Sequence, residues 1–250
     1  MELMITKLLG FVLVLTRMSA FFMVTPIFSG ESIPTRIKVV IVLFLSIFFS
    51  IVSPAVLPSG QVSELQAALL ISSEAVYGLA LGLVTIFIFF AVRLSGQIME
   101  LEMGLSMSEV LDPLTGENAE SLSMLLEMIF ILMFLSANGH HLLLTIISRS
   151  YQTFPAGSIP TIPFLIEGVV KTSSIMLIAA LRLAAPMLVA FLLLLVVLAV
   201  MARMIPDMDI FFLSMSLSVG LGLMMIGTFL PFISGFVTEF ADWMSKLVPL

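Results

Sequence analysis

Cysteine is absent from all 250 residues. Disulfides, thiolate metal sites and cysteine nucleophiles are thereby excluded. Charge is scarce too, at 10% of residues, where a soluble domain carries about 25%. Ten Lys and Arg face sixteen acids, for a net charge of -6. Binding nucleic acid requires clustered bases to neutralise phosphates, so that class of partner is excluded. What fills the chain is apolar: 60% of residues are hydrophobic, with 19 Met and 21 Phe. The composition is that of an integral membrane protein. The opening MELMITKLLGFVLVLTRMSAFF resembles a signal peptide in Lys7 and its apolar run, but Arg17 interrupts it and no A-x-A-like site follows. It reads as an uncleaved first helix.

Uncharged runs extend from Val39 to Ser63, Ala75 to Val92, Met128 to Ser148, Leu183 to Ala202 and Ile210 to Thr238. Each meets or approaches the roughly 18 to 20 residues that a spanning helix needs. With the interrupted N-terminal segment they predict six hydrophobic helices and an all-α fold. The breakers between them are TPIFSGESIP, SPAVLPSG, DPLTG, FPAGSIPTIP and IPDMD. Helical periodicity continues from Glu64 through Met103 and from Phe164 to Met204, so two helices should exceed the bilayer. Pro186 cannot donate to the carbonyl of Arg182, which predicts a kink beside a charge. Gly78 and Gly82 form a GxxxG pair, which either permits close helix approach or arises by chance in apolar sequence. For strictly alternating spans the loop bases tie, with Lys7, Arg149, Lys171 and Lys246 on one side and Arg36, Lys38, Arg93 and Arg203 on the other. The positive-inside rule therefore assigns no orientation.

Arg17, Glu74, Arg93, Glu127 and Arg182 lie in or at the edge of the apolar runs. Each would cost roughly 2.5 to 3.5 kcal/mol at the centre of an isolated helix, so they should face protein or water. Structural pairing between helices is one reading and an ion or proton relay the other. His140 and His141 are adjacent, hence about 100° apart on a helix, and no HExxH or DxD-type partner stands nearby, so no metal is expected. GLSM at Gly104 to Met107 lacks the second glycine of the GxSG of intramembrane serine proteases, and no catalytic residues or cofactors are expected. Met99, Met103 and Met107 fall at i, i+4 and i+8 on one helical face. Such a thioether stripe is either adaptable core filler or a soft constriction facing a pore. It runs into MELEMGLSMSEVLDPLTGENAE, Met99 to Glu120, which holds six acids and no base. That stretch is either a solvated loop outside the bilayer or a polar element enclosed by protein.

The segment TRMSAFFMVTPIFSGESIPTRIKVVIVLFLS resembles the opening of the FliR family in its Arg, its P-x-F and its I-P-x-R-x-K turn. SGQIMELEMGLSMSEVLDPLTGENAE is similar to the family's G-Q, M-G-x-S and D-P-x-x-G pattern. SANGHHLLLTIISRSYQTFPAG resembles its N-G-H-H and S-Y-x-x-x-P-x-G region. RLAAPMLVAFLLLLVVLAVMARMIPDMDIFFLSMSLSVGLGL is similar to its R-x-x-x-P through R-x-x-P-x-x-x-x-F core. The resemblance spans nearly the whole chain, and the order and spacing of the motifs carry it.

This resemblance implies a non-enzymatic subunit of the flagellar type III secretion export gate, in the bacterial inner membrane at the flagellar basal body. The implied partners are FliP and FliQ homologues in a helical gate, FlhB and FlhA homologues, rod proteins and the exported flagellar substrates. It also implies a FliP-like part over residues 1–161 and a FliQ-like helical hairpin over 162–250. By position, the family's plug would be Gly104 to Gly116. There Gly104 and Gly116 would supply backbone freedom, Asp112 and Pro113 a fixed turn, and Leu105, Met107, Val110 and Leu111 an apolar stopper around Ser106. Two alternatives stay open. One is the equivalent subunit of a virulence injectisome; the other is a self-sufficient six-helix secondary transporter, although no matched pair of broken helices marks two inverted repeats.

Overall fold

A computed structural model describes residues 2–29, 33–53, 63–105, 121–158, 162–205 and 209–247. These form eight helices: α1 (Glu2–Val24), α2 (Pro26–Ser29), α3 (Thr35–Val52), α4 (Glu64–Met103), α5 (Ser121–Ser136), α6 (Gly139–Thr153), α7 (Ile162–Met204) and α8 (Ile210–Leu247). No strand occurs among the described residues, and the expected all-α class is the observed one.

Local chemistry sets the helix ends. Pro26 lacks an N–H, and α1 closes one residue earlier with Thr25 N donating to Phe21 O at 3.1 Å. At the start of α4, Gln66 N donates to Ser63 Oγ at 3.3 Å while Ser63 N donates to Gln66 Oε1 at 3.1 Å. This reciprocal pair is a capping box, and its S-x-x-Q signature stands in the sequence as SELQ. The run from Met128 to Ser148, read as one span, is two helices. Asn138 takes a left-handed conformation with φ 59, a geometry that asparagine tolerates and that ends α5 before α6 begins.

α4 and α7 have 40 and 43 residues, about 60 Å or more at 1.5 Å per residue and twice a bilayer's hydrocarbon core. The periodicity that predicted two overlong helices is therefore realised, and α7 continues through Pro186 as one helix. Among the described residues four helices are long and apolar enough to cross a membrane, or five if α5 and α6 count as one broken span. The expected count of six is not confirmed among the described residues. The last candidate, within α8, keeps an apolar described stretch of only Phe212–Gly227.

The chain packs as two units. The first combines Met1–Ile88 with Asn138–Ser174 and Ala241–Leu250, and the second Phe89–Ala137 with Ile175–Phe240. In the first, α3 packs on α1. Only Ser46 and Phe49 of α3 are buried, while Phe44, Ile47 and Phe48 stand exposed, as suits lipid or a protein partner. α1 lies so close to α4 that a Cβ added at Gly78 would come within 2.5 Å of the Arg17 carbonyl oxygen, and one at Gly82 within 2.8 Å of Val24 Cβ. The GxxxG pair is thus a packing face. In the second unit Phe89 meets Phe130 and Phe134 edge-on, with ring centroids 5.3 and 5.5 Å apart.

Candidate functional site

Within the first unit, α1, α4 and α6 converge on Arg17, which is 1% exposed. Its Nε donates to Glu74 Oε2 in a fully buried ion pair. Its Nη1 donates to Phe154 O at 2.9 Å. The guanidinium lies 4.5 Å from the ring centroids of both Tyr77 and Tyr151, and these two faces supply cation–π attraction where water is excluded. Tyr151 Oη in turn donates to Val14 O at 3.3 Å. The second carboxylate oxygen, Glu74 Oε1, accepts from Gly157 N at 2.8 Å. Gly157 takes φ 93, and Ser158 N donates to Pro155 O at 3.0 Å, so the FPAGS turn after α6 is shaped to present that amide.

The chemistry here is fixation. One buried charge pair ties α1, α4, α6 and the following turn together, because each charge would be prohibitively costly without the other. Arg17 Nη2 and Tyr77 Oη are buried and find no hydrogen-bond partner among the described residues.

In the second unit the C-terminal end of α4 meets the start of α5. Gly104 has φ 73, and its N–H donates to Leu101 O at 3.1 Å while Leu105 N donates to Glu100 O at 3.2 Å. These are the two bonds of a Schellman cap, with glycine at its left-handed position. Glu100 is 5% exposed, and its Oε1 accepts from Leu122 N and, at 3.0 Å, from Ser123 N. A Cβ added at Gly96, one turn earlier, would lie 2.6 Å from Ser123 Cα, so the start of α5 sits directly on α4. Arg93 and Glu127 form a wider pair at 3.9 Å, with side chains 38% and 21% exposed.

The sequence-predicted residues fall as follows. Arg17 and Glu74 pair, Arg93 and Glu127 pair, and Arg182 is exposed on α7. Met99 and Met103 are both 1% exposed, and Met103 packs where a Cβ on Gly222 would intrude, 2.5 Å from its sulfur. Within this chain these two thioethers fill a core. Ser106, Met107, Val110, Leu111, Asp112, Pro113 and Gly116 lie outside the described residues, as does the division expected near Thr161. Three contributors were missed in the sequence: Tyr77, Tyr151 and the Glu100 carboxylate. Their partners stand far along the chain, 22 and 23 residues on in the case of Glu100, and no local pattern encodes such distances.

Overlong apolar helices, a buried pair of opposite charges and glycine-mediated helix contacts define a membrane-embedded helical protein. The chain belongs to the bacterial export proteins, family 1, which match it over residues 8–244. It is 31% identical to the flagellar biosynthetic protein FliR of Escherichia coli (strain K12), over 89% of this chain and 84% of that one. It is 30% identical to the flagellar biosynthetic protein FliR of Bacillus subtilis (strain 168), over 87% and 84%. The Yop proteins translocation protein T of Yersinia pestis is also 30% identical, over 83% and 80%.

Proposed function

We propose that this chain is a channel-forming subunit of a flagellar type III protein export gate in the bacterial inner membrane, at the flagellar basal body. The observation that carries the reading is similarity to flagellar export proteins over almost the whole chain. Under it the subunit is no enzyme and needs no cofactor. It supplies part of a channel wall, assembled with FliP and FliQ homologues, with FlhB and FlhA homologues, rod proteins and unfolded flagellar substrates as further partners. Residues 1–161 correspond to a FliP-like part and 162–250 to a FliQ-like hairpin. The Arg17–Glu74 pair speaks against a proton relay, since both groups are consumed in a fixed, buried network. The Yersinia relative keeps the injectisome subunit as the second reading.

Gly104 to Gly116 is the proposed closing plug. The Schellman cap ends α4 at the first of these residues, so the polar stretch begins where the helix stops. The buried Met99 and Met103 form the packed end of α4, and Met107 is the third member of the proposed pore-facing stripe. Deleting Ser106 to Leu114 is expected to leave an assembled complex that leaks ions and small solutes. Conductance of cells expressing the gate tests it, and a membrane as tight as with the intact chain refutes the plug. Gentle purification tests the partners: FliP-like and FliQ-like proteins should co-isolate, whereas substrate uptake by the chain alone in liposomes would establish the transporter instead.

A further inference from the structure

Helix α3 sorts its residues the wrong way round for water. Both serines between Val39 and Val52 lie on the sheltered side: Ser46 is fully buried, with its Oγ donating to Val42 O at 2.7 Å, and Ser50 is half-buried. Phe49 packs there too, its ring centroid 5.7 Å from that of Tyr151. Every exposed position from Val39 to Val52 is Val, Leu, Ile or Phe. A helix folded against water shows the opposite sorting, because apolar side chains gain by leaving it. Length and chemistry favour lipid hydrocarbon over a partner helix as the cover of this face. The 18 residues of α3 reach about 27 Å at 1.5 Å per residue, close to the roughly 30 Å of a bilayer core. α4 and α7 overshoot that thickness, and α1 packs against both α3 and α4. Where α1 and α4 meet closely, Gly78 and Gly82 make the contact. Small residues are the usual device for helix contacts in apolar surroundings, since lipid tails are as apolar as leucine and only close backbone approach adds attraction. The exposed face of α3 has no Gly, Ala, Ser or Thr from Val39 onwards. Arg36 stands exposed in the first turn, and no charge follows Lys38 until Glu64, so positive charge marks one end of the helix alone.

We propose that the outer face of α3 is a lipid-docking surface of the assembled protein: Val40, Phe44, Ile47, Phe48 and Ile51 lie among acyl chains, and Arg36 binds the phosphate of an anionic phospholipid at the headgroup level. Once the apolar face is set in hydrocarbon, Arg36 falls at its edge, where a guanidinium meets phosphate oxygens with matching charge and geometry. The contact stands whatever the chain exports and whichever residues close the channel.

The absence of cysteine makes the test direct, because one introduced thiol is the only thiol in the chain. Nitroxide labels are attached at Val40→Cys, Phe44→Cys, Ile47→Cys and Ile51→Cys, and at Ser50→Cys on the sheltered side. Each variant is studied in the complex purified from membranes, with cysteines of co-purified subunits replaced, after reconstitution in bilayers of equal parts phosphatidylcholine and phosphatidylglycerol. Power saturation then reads collisions with O2, which partitions into hydrocarbon, and with a neutral nickel chelate, which stays in water. The four outer positions should collide freely with O2 and rarely with the chelate, whereas Ser50→Cys should be shielded from both. Shielding from both at the outer positions means that a protein subunit covers the face, and it overturns the lipid contact. Free collision with the chelate means water and overturns it as well. Four outer sites keep the comparison intact if one variant fails to assemble. The phosphate contact is read separately, from a fluorophore at Val40→Cys quenched by brominated phosphatidylglycerol or brominated phosphatidylcholine. The anionic lipid should be preferred about fivefold, the factor that one base contributes at an anionic membrane surface. Arg36→Gln should abolish the preference and Arg36→Lys should keep most of it. No preference in the parent complex, or the same preference in Arg36→Gln, overturns the phosphate contact.

Discussion

A chain carrying Arg17→Leu is expected to disappear from assembled complexes, because Arg17 is paired with Glu74 and enclosed by Tyr77 and Tyr151 within its own unit. Among the described residues, the substitution leaves the buried Glu74 carboxylate with only the Gly157 amide as a hydrogen-bond partner. Breaking a buried pair by removing one partner costs about 3 to 5 kcal/mol, since the survivor's charge stays desolvated. Lost stacking against Tyr77 and Tyr151 adds roughly 0.5 to 2 kcal/mol. That sum is a large share of the 5 to 15 kcal/mol that holds a typical domain folded. Glu74→Ala should be as damaging, for it strands the guanidinium instead. Joint replacement by Arg17→Met and Glu74→Leu should recover much of the loss, because it removes both charges from the interior at similar volume. The amount of chain in purified membranes and the melting temperature of the solubilised complex check the order: wild type, double variant, then either single variant. A double variant no better than the singles would contradict mutual neutralisation as the purpose of the pair.

Gly78→Ala is expected to separate α1 from α4 and to lower stability by about 1 to 3 kcal/mol, the usual cost of overpacking. The added methyl meets the Arg17 carbonyl oxygen at 2.5 Å and Ala20 Cβ at 2.9 Å, and main-chain atoms cannot rotate out of the way. Since Arg17 is the residue approached, the shift also disturbs the ion pair with Glu74, and the loss should exceed that at Gly82, whose nearest neighbour is the Val24 side chain. Gly220→Ala provides the contrast. Nothing lies within 4 Å of its added Cβ, and alanine gains about 1 kcal/mol of helix propensity over glycine. Thermal unfolding of the three purified variants should rank Gly220→Ala highest and Gly78→Ala lowest. Equal melting temperatures for Gly78→Ala and Gly220→Ala would show that the close approach carries no energy.

These two expectations show which parts of the molecule were legible in its residues. Arg17 and Glu74 announced themselves by lying in apolar runs, and lipid's intolerance of charge required each to find shelter. Their pairing, across 57 residues, was not written anywhere locally. Gly78 and Gly82 were visible as a spacing, but whether a helix came close enough to use it depended on the path of α1. The run from Met128 to Ser148 carried no charge and read as one span, whereas the left-handed geometry of Asn138 and the resulting division into α5 and α6 emerged only in the folded chain. Met99 and Met103 read first as core filler and second as a pore-facing stripe, because a stripe on one helix face does not say what faces it. Gly222 does, by leaving room for Met103.

By itself, then, the sequence determined the helical, membrane-embedded class, the overlong reach of α4 and α7 and the family. Those properties follow from composition, from period and from the order of motifs along the chain, all of which are local or linear. Tertiary structure alone decided which charges neutralise each other, that two tyrosine rings enclose Arg17, and that Glu100 caps a helix beginning 21 residues after it. Burial makes polar partners obligatory without naming them, and the packing of distant helices selects the partner.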